Sequence, residues 1–369
     1  MRFRDKGKID MQLAIAIFGL SVFGLLMLYS ASAELSRVAT NNPENSTYYL
    51  FLQLISYVIG IIAWIIIQQI DYRRYQKYGV AWMLITVILL VSVFLLSKGE
   101  TKGAHRWVSI AGQTFQPSEF AKLSFILFLA SWFSQKREEM HSWKGFSWFV
   151  IIISAIGALM LAQKDLGSLG VMMIVALAMY ICGGAKLTQI SAVIGSLIGM
   201  VVLAIKIAPY RLQRLTTFIN AENSPTGAGY HAVQAKIAIG LGGLWGKGFL
   251  KGVQKRGFLP EGHTDSIFAI IVEELGFFRT SALILVYGFI GVRGIRIAKF
   301  APDMFGSLLA IGITVWFVGQ ALINIGSMTS LIPMTGVPLP FVSYGRSAMV
   351  ALFMATGVIL NISRYIEKE

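Results

Sequence analysis

The sequence predicts an all-α polytopic membrane protein of about ten transmembrane helices, with a large extracytoplasmic loop between the seventh and the eighth. Three observations carry that prediction. Hydrophobic residues make up 56% of the 369 and charged residues only 14%, with a mean hydropathy of +0.67. The apolar residues fall in runs that reach the roughly 20 residues a bilayer span requires. Lysine and arginine crowd the short connections on one side of those runs, as expected of cytoplasmic loops.

In chain order the candidate spans are 11–31, 49–70, 79–97, 117–134, 146–163, 166–184, 187–207, 266–292, 305–330 and 343–363. Only Gln163-Lys164-Asp165 separates the fifth from the sixth. The first run is of spanning length and lacks a convincing small-residue cleavage site, so no cleaved secretory signal is expected. Ten spans put both termini on one side. The short segments there carry sixteen basic residues: Arg2, Arg4, Lys6, Lys8, Arg73, Arg74, Lys77, Lys136, Arg137, Lys144, Lys186, Arg293, Arg296, Lys299, Arg364 and Lys368. The short segments opposite carry six, namely Arg37, Lys98, Lys102, Arg106, Lys164 and Arg346. Both termini are therefore expected in the cytoplasm. This bias explains most of the net charge of +14 without a nucleic-acid partner. Residues 1–369 read as one integral membrane domain.

Residues 208–264 form a connection far above the usual loop length. It carries Arg211, Arg214, Lys236, Lys247, Lys251, Lys255 and Arg256, with Lys206 at its edge, against only Glu222 and Glu261. The stretch Ala232–Ile239 reads as an amphipathic helix lying on the membrane or dipping into it. Glycines 240, 242, 243, 246 and 248 follow, which suits close backbone approach or a re-entrant turn. A basic, glycine-rich external loop ending at a carboxylate fits an anionic, membrane-bound substrate. A loop that binds lipid headgroups explains the charge equally well, but not the carboxylates.

That carboxylate is Asp265, in Phe258-Leu259-Pro260-Glu261-Gly262-His263-Thr264-Asp265-Ser266-Ile267-Phe268. An ionisable group at a membrane surface is by default a functional candidate, although Thr and Asp at a helix start also serve as caps. Glu119 and Lys122, three apart in Gln116-Pro117-Ser118-Glu119-Phe120-Ala121-Lys122, share a helix face and can neutralise each other. Glu273 and Glu274, two turns below Asp265, need a partner or a hydrated cavity. Arg279 is placed to pair with one of them or to snorkel toward the cytoplasm.

Several chemistries drop out. Cys182 is the sole cysteine, so there is no disulfide framework or thiolate metal site. Histidines 105, 141, 231 and 263 are too scattered for a His-rich metal motif. Neither a phosphate loop nor a Gly-x-Ser-x-Gly nucleophile elbow occurs.

The chain resembles the SEDS proteins (shape, elongation, division and sporulation), whose best-known members are FtsW and RodA. The resemblance runs from Tyr29-Ser30-Ala31-Ser32 to the last span. It rests on Arg106-Trp107, the Gln116–Lys122 block, Asp165-Leu166-Gly167, Gly227-Ala228-Gly229-Tyr230, Leu259-Pro260-Glu261 with His263-Thr264-Asp265, Glu273-Glu274-Leu275-Gly276 and Gly336–Gly345. Features of both the division and the elongation branch occur. Gln254-Lys255-Arg256-Gly257 and Ser266-Ile267-Phe268 look more like the division branch, Gly229-Tyr230-His231 and Lys236-Ile237-Ala238-Ile239-Gly240 like the elongation branch, and the lean is to division.

The resemblance implies a glycosyltransferase of the bacterial cytoplasmic membrane that polymerises lipid II into peptidoglycan strands and releases undecaprenyl pyrophosphate. It implies that Asp265 is the catalytic general base. It implies that Arg106, Lys122, Arg211 and Lys236 meet the pyrophosphate, and that Glu119, Asp165, Gln234, Glu261, His263, Thr264, Glu274, Ser343 and Tyr344 also line the substrate site. A divalent cation, Mg or Mn, could assist at the pyrophosphate, although the sequence shows no dedicated metal cluster. The implied partners are a class B penicillin-binding protein, other divisome or elongasome membrane proteins, and membrane lipids. The rival functions are a lipid II flippase and a related lipid-linked polysaccharide polymerase or ligase. Four departures from the family pattern stand out: Arg346 for a glycine, Lys164 for a proline, and Ala235 and Leu241 for serines. Gly262 is a small residue where the division branch often has alanine and the elongation branch arginine.

Overall fold

The computed structural model describes residues 7–96, 106–110, 113–207 and 227–366. Its long helices are α1 (Met11–Thr40), α2 (Tyr48–Ile67), α4 (Gly79–Leu96), α5 (Pro117–Gln135), α7 (Trp143–Ala162), α8 (Leu166–Cys182), α9 (Leu187–Ile207), α10 (Gly227–Gly242), α11 (Ile267–Lys299), α12 (Met304–Met328) and α13 (Arg346–Ser363). Short turns α3 (Arg73–Gln76) and α6 (Arg137–Met140) lie between them. Among the described residues, seven helices, α1, α2, α4, α7, α11, α12 and α13, are long and apolar enough to cross a membrane.

The central helices are those that face protein on every side. α5 is buried along nearly its whole length and packs on α4, α8, α12 and α13. Because α5 does not face lipid, it can carry Glu119 and Lys122. Pro117 starts this helix, where its missing N–H costs nothing, and Glu119 sits favourably in the first turn. α4 is peripheral, with Val80, Leu84, Ile88 and Leu95 exposed along it. Gly24 and Gly60 allow the closest crossings. A Cβ at Gly24 would lie 2.4 Å from the Phe341 carbonyl oxygen, and one at Gly60 would lie 2.4 Å from the Phe353 ring.

Contacts at the helix ends sort into two faces. On one, Asp10 caps α1 through Leu13 N–H and accepts from Arg293 Nη2 at 2.6 Å, while Tyr72 and Arg73 both donate to Asp303, the cap of α12. Burial, then the Asp303 carboxylate, hold the Tyr72 phenol well above its ordinary pKa. The opposite face gathers the end of α1, the starts of α2, α5, α8, α11 and α13, and the segment after α12.

The structure revises several boundaries. α1 continues to Thr40 because no breaker precedes Asn41, whose left-handed φ of 50° ends the helix. The last helix begins at Arg346 rather than residue 343. A two-stranded antiparallel pair, β1 (Val108–Ile110) and β2 (Gln113–Phe115), precedes α5 and supplies the only strands among the described residues. α11 is broken at Gly276, which takes φ 78° and ψ 178°.

That break belongs to the long connection. α10 packs along α11, and a Cβ on Gly242 would sit 2.1 Å from the Val272 carbonyl oxygen. The chain then turns beside Gly276, where a Cβ would lie 2.3 Å from Gly246 N. The N–H groups of Lys247 and Gly248 donate to the carbonyls of Glu273 and Glu274, both at 2.9 Å. The connection thus runs down α11 by roughly two turns, about 10 Å at 1.5 Å per residue, before returning to Ser266.

Candidate active site

The candidate site lies where the turn before α11, the segment between α12 and α13, and the residues before α5 and α8 meet. Residues 263–265 are held by their backbone. The His263 carbonyl accepts from Tyr344 N–H at 2.9 Å and the Thr264 carbonyl from Ser343 Oγ at 2.6 Å. The Asp265 carbonyl accepts from Asn324 Nδ2 at 2.7 Å. Three successive carbonyls thus have three donors from α12 and the segment after it.

The helix itself is capped at Ser266, one residue past Asp265, and the Ser266 hydroxyl donates to the Pro260 carbonyl at 2.9 Å. Asp265 is therefore not the N-cap. Its carboxylate points toward Gly336. A Cβ built on that glycine would lie 3.2 Å from Asp265 Oδ2 and 3.9 Å from Arg106 Nη1. Gly336 also has φ 69°, so both its conformation and its lack of a side chain belong to the site.

Arg106 is held from behind. It donates through Nη2 to the Lys164 carbonyl, and its Nε lies 3.9 Å from Asp165 Oδ1. Asp165 caps α8 through Ser168 N–H at 3.2 Å. Lys164, where the resemblance implies a proline, has φ 59°, a conformation proline cannot adopt.

Glu261, at φ 52°, folds the preceding turn. Its carbonyl accepts from the N–H groups of Thr264 and Ser266, and its Oε2 from Thr264 Oγ1 at 3.0 Å. His263 packs against Tyr49 and Tyr344, with ring centroids 4.9 and 5.5 Å apart. The Tyr344 phenol, in the segment before α13, is pushed up to about 12, chiefly by burial, so it stays a neutral donor at ordinary pH.

Glu119 and Lys122 lie beneath this assembly. Their side chains are 1% and 2% exposed, and Lys122 Nζ donates to Glu119 Oε1 at 2.8 Å and to Gln320 Oε1 at 2.9 Å. Gln320 Nε2 in turn donates to the Pro338 carbonyl at 2.9 Å. The pair therefore supports the segment that carries Gly336.

Glu274 stands apart. It accepts from Lys255 Nζ at 2.6 Å, from Ser30 Oγ at 2.8 Å and from the N–H groups of Leu250 and Gly252. Glu273 does the same for Lys247, Val253 and Gln254. These carboxylates fasten the returning loop to α11. Arg279 is not their partner: it is turned outward and donates to the Trp245 carbonyl at 3.1 Å, because the loop cations reach the carboxylates first.

On α10, Gln234 is half-buried and Lys236 exposed. His231 brings this helix to the site through a short hydrogen bond to Ser266 Oγ. Arg211 lies outside the described residues. Among the described residues, no three His, Cys, Asp or Glu side chains converge to hold a metal ion. Gln320 and Asn324 join the site without being among the residues expected from the sequence. Two buried carboxamides one turn apart in an apolar helix were the available signal.

Residues 11–368 match the profile of the FtsW/RodA/SpoVE cell cycle proteins. The chain belongs to that family. It is 39% identical to stage V sporulation protein E of Bacillus subtilis over 360 residues, covering 96% of this chain and 97% of that one. It is 36% identical to the probable peptidoglycan glycosyltransferase FtsW of Trichlorobacter lovleyi over 361 residues, covering 96% and 93%. These FtsW/RodA/SpoVE relatives agree with the lean toward division. The fold matches a chain of a peptidoglycan synthase complex described as coordinating polymerization and crosslinking, with TM-score 0.80, 23% identity and coverage of 96% and 98%. It also matches the crystal structure of Thermus thermophilus RodA, with TM-score 0.71, 23% identity and coverage of 98% of both chains.

Proposed function

We infer that this chain is a peptidoglycan glycosyltransferase that polymerises lipid II, with Asp265 as general base. The observation that carries the reading is the approach of the Asp265 carboxylate and the Arg106 guanidinium to one side-chain-free position, Gly336. Glycan extension requires a hydroxyl to lose its proton as it attacks an anomeric carbon, while a pyrophosphate departs with negative charge. A positioned carboxylate does the first and a fixed cation assists the second.

In this reading the acceptor 4-hydroxyl lies against Asp265, which takes its proton as the new C–O bond forms. The C–O bond to undecaprenyl pyrophosphate breaks, and Arg106, oriented by Asp165 and the Lys164 carbonyl, meets the developing charge. Lys236 and Arg211 are further candidates for the phosphates. Glu119 and Lys122 act from below, through Gln320. A divalent cation, if used, would draw its ligands largely from the pyrophosphate.

Ten membrane passages, with α5, α8 and α9 completing the seven apolar spans, leave both termini on the basic face. The positive-inside bias supports a site on the outer face of the cytoplasmic membrane. A crosslinking class B penicillin-binding protein is the partner this reading requires, since no transpeptidase motif occurs in the sequence.

Purified protein incubated with labelled lipid II, with and without such a partner, tests the reading. Glycan polymer is expected. Transbilayer movement of lipid II without polymer would favour a flippase instead.

A further inference from the structure

Two carboxamides on α12, Gln320 and Asn324, are both 0% exposed. Asn is a weak helix former, and a buried amide of either residue is costly unless its N–H groups find acceptors. Both reach main-chain carbonyls at the end of the bundle that holds Asp265. Asn324 Nδ2 is shared between the carbonyls of Asp265 and Val337, 2.7 Å from each. Gln320 Nε2 binds the next carbonyl, Pro338, while Gln320 Oε1 accepts from Lys122 Nζ and Trp316 Nε1.

We propose that Asn324 is a positioning residue for the transfer reaction: its single amide group fixes the distance between the Asp265 backbone and the Gly336-Val337 segment that faces the Asp265 carboxylate. The proposal rests on the reading of Asp265 as general base. An NH2 group has two hydrogens, and here both are used on segments far apart in sequence. One of those segments is Asp265 itself. The other begins at Gly336, the position that Asp265 Oδ2 and Arg106 Nη1 both approach. A shift of either carbonyl therefore changes the gap in which the base and the cation meet. Gln320 holds the following carbonyl and extends the same support to the buried Lys122–Glu119 pair. Ser343 and Tyr344 fix the carbonyls of Thr264 and His263, whereas Asn324 acts on Asp265 directly. The competing account is that Asn324 merely satisfies two buried carbonyls and contributes only to stability.

The test uses the full-length protein with labelled lipid II and two variants. Asn324→Leu keeps the approximate size and removes both hydrogens. Asn324→Asp keeps the shape and can donate a single hydrogen only when protonated. For Asn324→Leu the expectation is a fall in kcat of about 10- to 100-fold, the scale of a small misplacement, with KM within about twofold. The acidic limb of the pH profile should move, because the environment of Asp265 changes. Combined with Asp265→Asn, it should cost no further residual turnover, since both act through one group. If Asn324→Leu does not fold, Asn324→Asp decides: its turnover relative to the parent should fall as pH rises and its carboxyl ionises. Parent-like turnover per folded molecule would overturn the proposal. So would a loss that leaves the acidic limb in place and multiplies with that of Asp265→Asn. Asp265→Asn alone is measured in the same series, and near-parent turnover there would reject the base reading independently.

Discussion

The hydroxyl of Ser343 donates to the carbonyl of Thr264 at 2.6 Å, joining the segment before α13 to the residue beside Asp265. The same oxygen accepts from Leu339 N–H at 2.8 Å. Ser343 thus acts on the protein's own backbone. Ser343→Ala should cost about 1 kcal/mol for each lost hydrogen bond and lower turnover several-fold, with lipid II affinity held. Equilibrium binding alongside initial rates checks this; a loss confined to affinity would make Ser343 a direct substrate contact.

Glu119 and Lys122 form a buried pair, and removing one partner leaves an uncompensated charge. Glu119→Ala should destabilise the protein by about 3–5 kcal/mol and reduce yield and melting temperature. Exchanging the two residues should recover part of the folding. Unchanged yield and melting temperature with turnover abolished would give Glu119 a direct chemical role.

Gly276 and Gly288 lie on the same helix and make opposite predictions. A Cβ at Gly276 would meet Gly246 N at 2.3 Å, and its φ is 78°. Nothing lies within 4 Å of a Cβ at Gly288. Gly276→Ala should displace the returning loop and lower both melting temperature and activity. Gly288→Ala should be neutral or stabilising by up to about 1 kcal/mol from helix propensity. Thermal melts of the two purified variants decide it.

The proposed membrane orientation puts the basic face of the bundle in the cytoplasm. In a Cys182→Ala background, Asn42→Cys should react with an impermeant thiol reagent added to intact cells, and Lys136→Cys should react only after lysis. Both positions are exposed. Labelling of Lys136→Cys from outside would invert the assignment.

The sequence made the helices legible because lipid contact demands long apolar runs. It also exposed Asp265, Arg106 and the Glu119–Lys122 pair, since charges stand out against an apolar background. What it hid depends on distant contacts. Glu273–Arg279 reads as uninterrupted helix, and the break at Gly276 arises only because Gly246 packs against it. The partners of Glu273 and Glu274 come from the loop rather than from Arg279, a choice that spacing along one helix cannot reveal. The β1–β2 pair is too short to show a period. Asn324 was visible as a polar residue in a span, but its two carbonyl partners were not.

If Asp265 supplies the base, Asp265→Asn is the decisive substitution. The substitution preserves size and leaves the backbone contacts of Asn324, Ser343 and Tyr344 available. Polymerisation of labelled lipid II by the purified variant, together with lipid II binding, is the measurement. The predicted result is a folded protein that still binds lipid II and polymerises it at least about 100-fold more slowly, as expected for loss of a general base. Near-parent polymerisation would mean that Asp265 is not the base.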